Sequence, residues 1–334
     1  MQPGRRGVRI PGRPGQVAAR ACELPGNGAS CHACRMPHAP AGNAPRLLAI
    51  SDLHVGYPEN REFIEKLRPE SEGDWLLLAG DVGEMLADVE WALRTLSGRF
   101  ARLIWVPGNH ELWTHARDQS QLRGVRRYQH LVQLCRELGV VTPEDPYPVW
   151  AGPEGPVTIA PLFLLYDYSF RPEGARTKEE SLAIAYDSGI VCSDEALLHP
   201  DPFSSREAWC HERVDHTERR LAELEPAQPL VLVNHWPLTR EPTNVLRYPQ
   251  FAQWCGTTRT RDWHTRFNVN TVVYGHLHIP RVTWQDGVRF VEASVGYPRE
   301  WKRRPPRAGV PAPGLPRQIF PVPAHDLQAA GGAR

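Results

Sequence analysis

Apolar residues along this chain fall into two alternating patterns. Short runs that are almost wholly apolar occur at 47–50, 75–79, 103–106, 230–233 and 271–274, for example Trp75-Leu76-Leu77-Leu78-Ala79 and Leu230-Val231-Leu232-Val233. Runs of this kind predict strands covered on both faces. Between them, apolar positions recur at helical spacing. Phe63, Ile64 and Leu67 share a face of a helix over 59–68, and Leu86, Val89, Leu93 and Leu96 one of a helix over 85–97. Val125, Tyr128, Leu131, Val132, Cys135 and Leu138 make a stripe on a longer helix over about 117–138, which Gly139 stops. A further helix is expected over about 205–223, with Ser204 as its N-cap. Residues 157–160 and 162–165 read as one strand interrupted at Pro161, and 281–293 as a hairpin about Asp286-Gly287. Buried strands alternating with amphipathic helices give an α/β class. The expectation is a layered α/β/β/α body with two mixed sheets, the hairpin adding antiparallel edges. Residues 166–203 remain irregular, with one or two short helices. A segment that long inside a compact domain reads as a cap or specificity region.

Composition changes this picture at the ends. The 334 residues include 33 prolines, concentrated near both termini. Residues 1–45, rich in Arg, Gly, Pro and Ala, are expected to be a disordered extension, and 303–334 a disordered Pro-rich tail. The body between them is 46–302. The N-terminal stretch holds Cys22, Cys31, Cys34 and His38; Cys31 and Cys34 have the gap of half a zinc knuckle, and no second pair completes it. A formal charge of +1 gives no reason to expect nucleic acid as a partner. No apolar run reaches the roughly 18 residues of a membrane span. Arg5-Arg6 precedes no apolar segment, so it is not read as a signal peptide. Seven cysteines, an odd number without scaffold density, fit a reduced, cytoplasmic chain.

The chemistry lies where the strands should end. Asp52-Leu53-His54, Gly80-Asp81, Gly108-Asn109-His110-Glu111, Asn234-His235 and Gly275-His276-Leu277-His278 each follow an apolar run. Open α/β sheets place their sites at the carboxyl ends of strands. In Asp-x-His and His-x-His, extended backbone sends both side chains to one side. Any one block has an ordinary structural reading, such as a hydrogen-bonded core histidine. Together they supply two carboxylates, one amide and four imidazoles, enough for two adjacent metal ions, with His110 to spare.

With these five blocks the chain resembles the calcineurin-like metallophosphoesterase superfamily, over residues 46 to about 300. The resemblance implies one ion held by Asp52, His54 and His278, a second by Asn109, His235 and His276, and Asp81 bridging them. His110 would sit beside the ions without ligating them. The implied activity is metal-dependent hydrolysis of a phosphate ester, by in-line attack of a hydroxide shared between the ions. His110 would stabilise phosphoryl charge or protonate the leaving oxygen. A donor set without thiolate suits Mn, Fe or Zn. In the protein-phosphatase branch of the family, a carboxylate three residues after the bridging aspartate orients that histidine, and an arginine directly after it clamps phosphate. Glu84 occupies the first position, though it also suits a helix N-terminus; Met85 stands at the second. Glu111 reads equally as support for the site or as surface.

The substrate side is less defined. Tyr166, Asp167, Tyr168, Phe170, Arg171, Lys178 and Asp187 could receive a nucleotide or sugar phosphate, or belong to a cap packed for stability. Arg240 is a candidate phosphate contact. The basic run from Arg299 to Arg307, with Trp301 in it, reads as a charged exit strand more readily than as a nucleic-acid site. Trp75, Trp91 and Trp105 fall in core-like stripes. The leading expectation is a phosphoesterase for a phosphorylated small molecule or nucleotide, monoester or diester left open. Its alternatives are a phosphodiesterase or nuclease, disfavoured by the near-neutral charge, and a non-catalytic metal-binding regulatory protein, disfavoured by the intact ligand set.

Overall fold

In the computed structural model, residues 43–331 are described. Ten strands occur among them: β1 (Leu47–Ile50), β2 (Trp75–Ala79), β3 (Arg102–Val106), β4 (Val149–Gly152), β5 (Gly155–Pro161), β6 (Leu230–Val233), β7 (Val269–Tyr274), β8 (Arg281–Gln285), β9 (Val288–Glu292) and β10 (Arg317–Phe320). They form a four-stranded sheet in the order β10-β1-β2-β3 and a six-stranded sheet in the order β4-β5-β6-β7-β9-β8. β1, β2 and β3 pair in parallel, as do β5, β6, β7 and β9; β4, β8 and β10 pair antiparallel at the edges. Both sheets are mixed, as the sequence pattern implied.

Strand periodicity sorts the apolar runs into two layers. Leu47, Ala49, Leu77, Ala79, Ile104 and Val106 face Ile159, Val231, Val233, Val273 and Val291 in one buried cluster between the sheets. The alternate residues Leu48, Ile50, Leu76, Leu78 and Trp105 turn the other way, into a cluster with Ile64, Val89, Leu93 and Leu131. Those four come from the helices Pro58–Lys66, Leu86–Ser97 and Gly124–Glu137. On the far side Leu230, Leu232, Val272 and Phe290 join Trp209, Val214 and Leu221 of the helix Arg206–Ala222. Each fully buried aliphatic side chain contributes about 2 kcal/mol, and nearly every residue of β1, β2, β6, β7 and β9 is buried on one face or the other.

Several local expectations are corrected. The helix expected from residue 117 begins at Gly124. Asp118 accepts from Ser120 N at 3.1 Å and from Arg127 Nη1 at 2.8 Å, a local arrangement that competes with helix formation. Ser205, not Ser204, caps Arg206–Ala222 by accepting from Ala208 N at 3.1 Å. β5 stops at Pro161; Leu162 N still donates in register to Val233 O, and Leu164 N then turns to the Asn234 side chain. Residues from Arg299 form no exit strand, because Pro298–Trp301 is a short helix. Part of the Pro-rich tail is ordered: β10 completes the first sheet beside β1 by burying Ile319 and Phe320, and Ala324–Gly331 is helical. Cys22, Cys31, Cys34 and His38 lie outside the described residues. No helix among the described residues is long and apolar enough to cross a membrane.

The two sheets meet at their carboxyl ends. Ser51, just past β1, forms a parallel bridge with Ser294, just past β9. Ser51 N donates to Ala293 O at 3.0 Å, and Val295 N to Ser51 O at 2.9 Å.

Candidate metal centre

The five chemistry-bearing blocks converge at that junction. Asp52 and His54 follow β1, Asp81 follows β2, Asn109 and His110 follow β3, His235 follows β6, and His276 and His278 follow β7. One ligating atom from each of Asp52, His54, Asp81 and His278 lies within 4.8 Å of the others, and the same holds for Asp81, His235 and His276. Asp81 belongs to both groups. Asn109 Oδ1 lies 3.2 Å from both His235 Nε2 and His276 Nδ1. A third group joins His54, Glu84 and His110.

The backbone is bent to achieve this. Positive φ is found at Asp52 (54°), His54 (42°), Asp81 (54°), His276 (71°) and His278 (56°). Non-glycine residues in this region cost about 1–3 kcal/mol each and persist where surrounding structure over-determines them. Here it does: Asp52 N donates to Gly80 O at 2.9 Å, His54 N to Asp81 O at 3.0 Å and Gly275 N to His235 O at 2.9 Å. Glycine is required where loops cross. A Cβ on Gly108 would overlap the Asp81 carboxylate, and one on Gly275 would overlap Ser51 and Asp52.

Hydrogen bonds orient several of the donors, although His54 Nδ1 and His276 Nε2 are buried without a partner among the described residues. Ser51 Oγ and Ser294 Oγ each donate to Asp52 Oδ2 at 2.6 Å. His235 Nδ1 donates to Ala79 O at 2.9 Å, which leaves its Nε2 lone pair facing the cluster. Asn109 Nδ2 donates to Asp194 Oδ1 at 2.9 Å, which turns the amide oxygen inward. His278 Nδ1 pairs with Glu300 Oε2 at 2.7 Å while its Nε2 faces Asp52 Oδ1 at 3.0 Å. Such outer partners fix ligand geometry around metals. His110 Nδ1 is 3.1 Å from Glu84 Oε1, and its Nε2 is 3.3 Å from the Tyr297 hydroxyl. The His110 ring packs on Trp113, and His54 stacks on Tyr297.

The residues fit divalent cations. Ring nitrogens of His54 and His278 face each other at 3.2 Å, as do those of His276 and His235. Nitrogens this close in a buried site aim lone pairs at shared points that a cation would satisfy. Burial, with His235 close by, pushes the His276 imidazole down to about 3, so the ring is neutral and able to ligate. Burial also opposes a proton on His110, but Asp81 and then Glu84 outweigh it and raise its pKa. Carboxylates hold protons on two of the candidate donors as well: against burial, Asp81 raises His235 to about 9, and Asp52 with Glu300 raises His278, so a binding cation would displace those protons.

Glu111 is buried rather than superficial. Its carboxylate accepts from Asp81 N and Gly108 N at 2.9 Å and from Val82 N at 2.8 Å. It knits the loop after β2 to the loop after β3, and burial lifts its carboxyl to about 7. Asp194, Glu300, Tyr297 and Ser294 are site residues that the sequence blocks did not reveal. Arg240 and Arg171 lie away from the cluster, beside Ser169 and Pro172. Tyr166, Tyr168 and Phe170 are core residues, and Lys178 pairs with Glu207. The irregular segment meets the site further on, where residues 190–193 line a cavity of about 500 Å³ over Asp81, Asn109, His110, His276 and His278.

A sandwich of mixed sheets carrying such a cluster at its carboxyl ends defines a metallophosphoesterase, and the family comparison agrees. The model of the calcineurin-like phosphoesterase family matches residues 45–280, and the chain belongs to that family. It is a hydrolase of phosphate esters. Among curated relatives, it is 56% identical over 284 residues to the acyl-carrier-protein phosphodiesterase PptH of Mycobacterium tuberculosis, covering 85% of this chain and 86% of that one. Among solved structures, it is similar to the crystal structure of phosphopantetheinyl hydrolase (PptH) from the same organism. The TM-score is 0.81 at 57% identity, covering 84% of this chain and 98% of that chain.

Proposed function

We propose that this chain hydrolyses the phosphodiester joining a phosphopantetheinyl arm to an acyl carrier protein. The observation that carries this reading is the 56% identity, over 85% of the chain, to a relative named for that diesterase activity. The substrate thereby shifts from the free small molecule or nucleotide expected from the sequence to a small-molecule arm carried on a protein. The 500 Å³ cavity over the cluster is consistent with an arm of that size.

In this reading Asp52, His54 and His278 hold one divalent ion, Asn109, His235 and His276 hold a second, and Asp81 serves both. The ions are Mn, Fe or Zn. When bound, such ions supply Lewis acidity for the phosphoryl oxygens and make water nucleophilic near neutral pH. Asp194 and Glu300 keep Asn109 and His278 in ligating orientation. His110, its Nδ1 held by Glu84, presents a protonated Nε2 beside the phosphoryl group. From there it stabilises developing negative charge and donates a proton to the carrier protein's departing alcohol oxygen. Tyr297, 3.3 Å from that nitrogen, steadies the ring. Cys135, Cys192, Cys210 and Cys255 are unpaired, which suits a reducing cytoplasm.

The test is mass spectrometry of a phosphopantetheinylated carrier protein incubated with Mn-loaded protein, with chelator-stripped protein and His235→Ala as controls. The expected result is metal-dependent loss of the arm, with bis-p-nitrophenyl phosphate cleaved faster than p-nitrophenyl phosphate. An intact carrier together with faster monoester cleavage refutes the reading.

A further inference from the structure

The cavity over the metal centre has two unlike walls. One is the cluster itself. The other is largely apolar, with Ile190, Val191, Leu246 and Phe251. Besides the histidines, two cationic side chains line it, Arg247 and Arg299, and both are exposed. Among the described residues, neither guanidinium takes part in an ion pair or hydrogen bond. Of the four buried arginines among the described residues, three are paired with carboxylates, Arg127 with Asp118, Arg213 with Glu144 and Arg289 with Asp326, and Arg317 donates to Gly309 O at 2.9 Å.

The two free guanidiniums are held by aromatic rings rather than by carboxylates. Arg299 Cζ is 5.2 Å from the centroid of Tyr297 and Arg247 Cζ is 5.4 Å from that of Tyr248, distances at which a cation is attracted to a ring face. Tyr297 is the residue whose hydroxyl reaches His110 Nε2 at 3.3 Å. A single aromatic ring therefore separates Arg299 from the group placed at the phosphoryl oxygens. Met85, which stands where the protein phosphatases have their phosphate-clamping arginine, does not line the cavity. A planar guanidinium offers paired donors that match two phosphoryl oxygens, and leaving it unpaired by carboxylate keeps those donors available.

We infer that Arg299 and Arg247 are the phosphate-recognising cations of this site, in place of the arginine that is missing after Glu84. The inference rests on the proposed diesterase reading for its substrate but not for its chemistry, since the two arginines line the same cavity as the cluster whatever phosphate ester enters it.

Two measurements on the full-length Mn-loaded protein test it. In the first, kcat and KM for bis-p-nitrophenyl phosphate and for the phosphopantetheinylated carrier are compared between wild type, Arg299→Ala, Arg247→Ala and the double variant. Charge-assisted hydrogen bonds of this kind predict a fall in kcat/KM of about tenfold to a hundredfold in the double variant. The fall should be borne mainly by KM, with metal content and thermal midpoint unchanged and partial recovery in Arg299→Lys. A kcat/KM within twofold of wild type overturns the inference. In the second, calorimetry follows binding of inorganic phosphate to wild type and to the double variant. Weaker binding in the variant supports the inference even if the carrier is not cleaved, in which case the diesterase reading alone fails. Equal binding overturns it whatever the substrate.

Discussion

Glu111 provides a demanding test of how the site is built. Its carboxylate accepts three main-chain N–H groups, from Asp81, Gly108 and Val82, at 2.8–2.9 Å, and the Trp105 indole lies further off at 3.4 Å. All of these groups are buried. Glu111→Ala leaves the three main-chain donors without an acceptor. A buried donor stripped of its partner costs about 1–3 kcal/mol, so the loss should be about 3–6 kcal/mol even if a water enters part of the space. Against the usual stability of about 5–15 kcal/mol, that is a large share. Glu111→Gln keeps the volume and one acceptor oxygen but turns an amide N–H towards a main-chain donor, for a cost of about 2–4 kcal/mol. Equilibrium urea denaturation of metal-free protein, followed by tryptophan fluorescence, measures both. The Ala variant should unfold at markedly lower urea than the Gln variant, and both below wild type. The metal content of the folded fraction should also fall, because the Asp81 main chain is one of the groups released. An Ala variant within about 1 kcal/mol of wild type would show that these donors are not held as described.

Two further outcomes follow from other parts of the molecule. Glu300→Gln removes the charge that pairs with His278 Nδ1 at 2.7 Å; chelator competition should show metal affinity lowered about 10–100-fold, and an unchanged affinity would refute the orienting role. Asp74 is held below its ordinary pKa: burial alone raises it, but the Arg46 side chain at 2.7 Å, then the N–H groups of Arg46, Glu70 and Ser71, more than reverse this. A carboxyl depressed in the fold stabilises above its unfolded pKa of about 4 and loses that stabilisation as pH falls through the folded value. Wild type should therefore lose more stability than Asp74→Asn on acidification below about pH 4, and parallel curves would contradict the assignment.

The strand–helix alternation and the clustering of the candidate metal donors were legible because each rests on a local signal. An apolar run ending in Asp-x-His or Gly-His-x-His carries both the strand and its chemistry within a few positions. The residues that orient those donors carry no such signal. Asp194 lies in the irregular segment and becomes visible only when Trp113 and Asn109 are brought against it. Glu300 and Arg299 lie in a basic run that looked like a surface strand until the short helix after Tyr297 turned them onto the cavity. β10 was hidden by the prolines around it, since its pairing with β1 is a contact between distant parts of the chain. Glu84 was legible in part: its position after Asp81 suggested the contact with His110, while its competing reading as a helix-start glutamate could be weighed only in three dimensions.

That distant pairing has a consequence for when the enzyme comes into being. β1 leads into Asp52 and His54, yet its outer neighbour is β10 and the residue just past it is fastened by Ser294. Contacts so far apart in sequence form slowly, and chains emerge from the ribosome N-terminus first. The earliest candidate ligands to be synthesised must therefore wait for the last strand before their positions are fixed. Metal capture by the assembled candidate centre would then be a late, largely post-translational event. Nascent or truncated chains would hold the full β1 motif but lack the neighbours that make it a site.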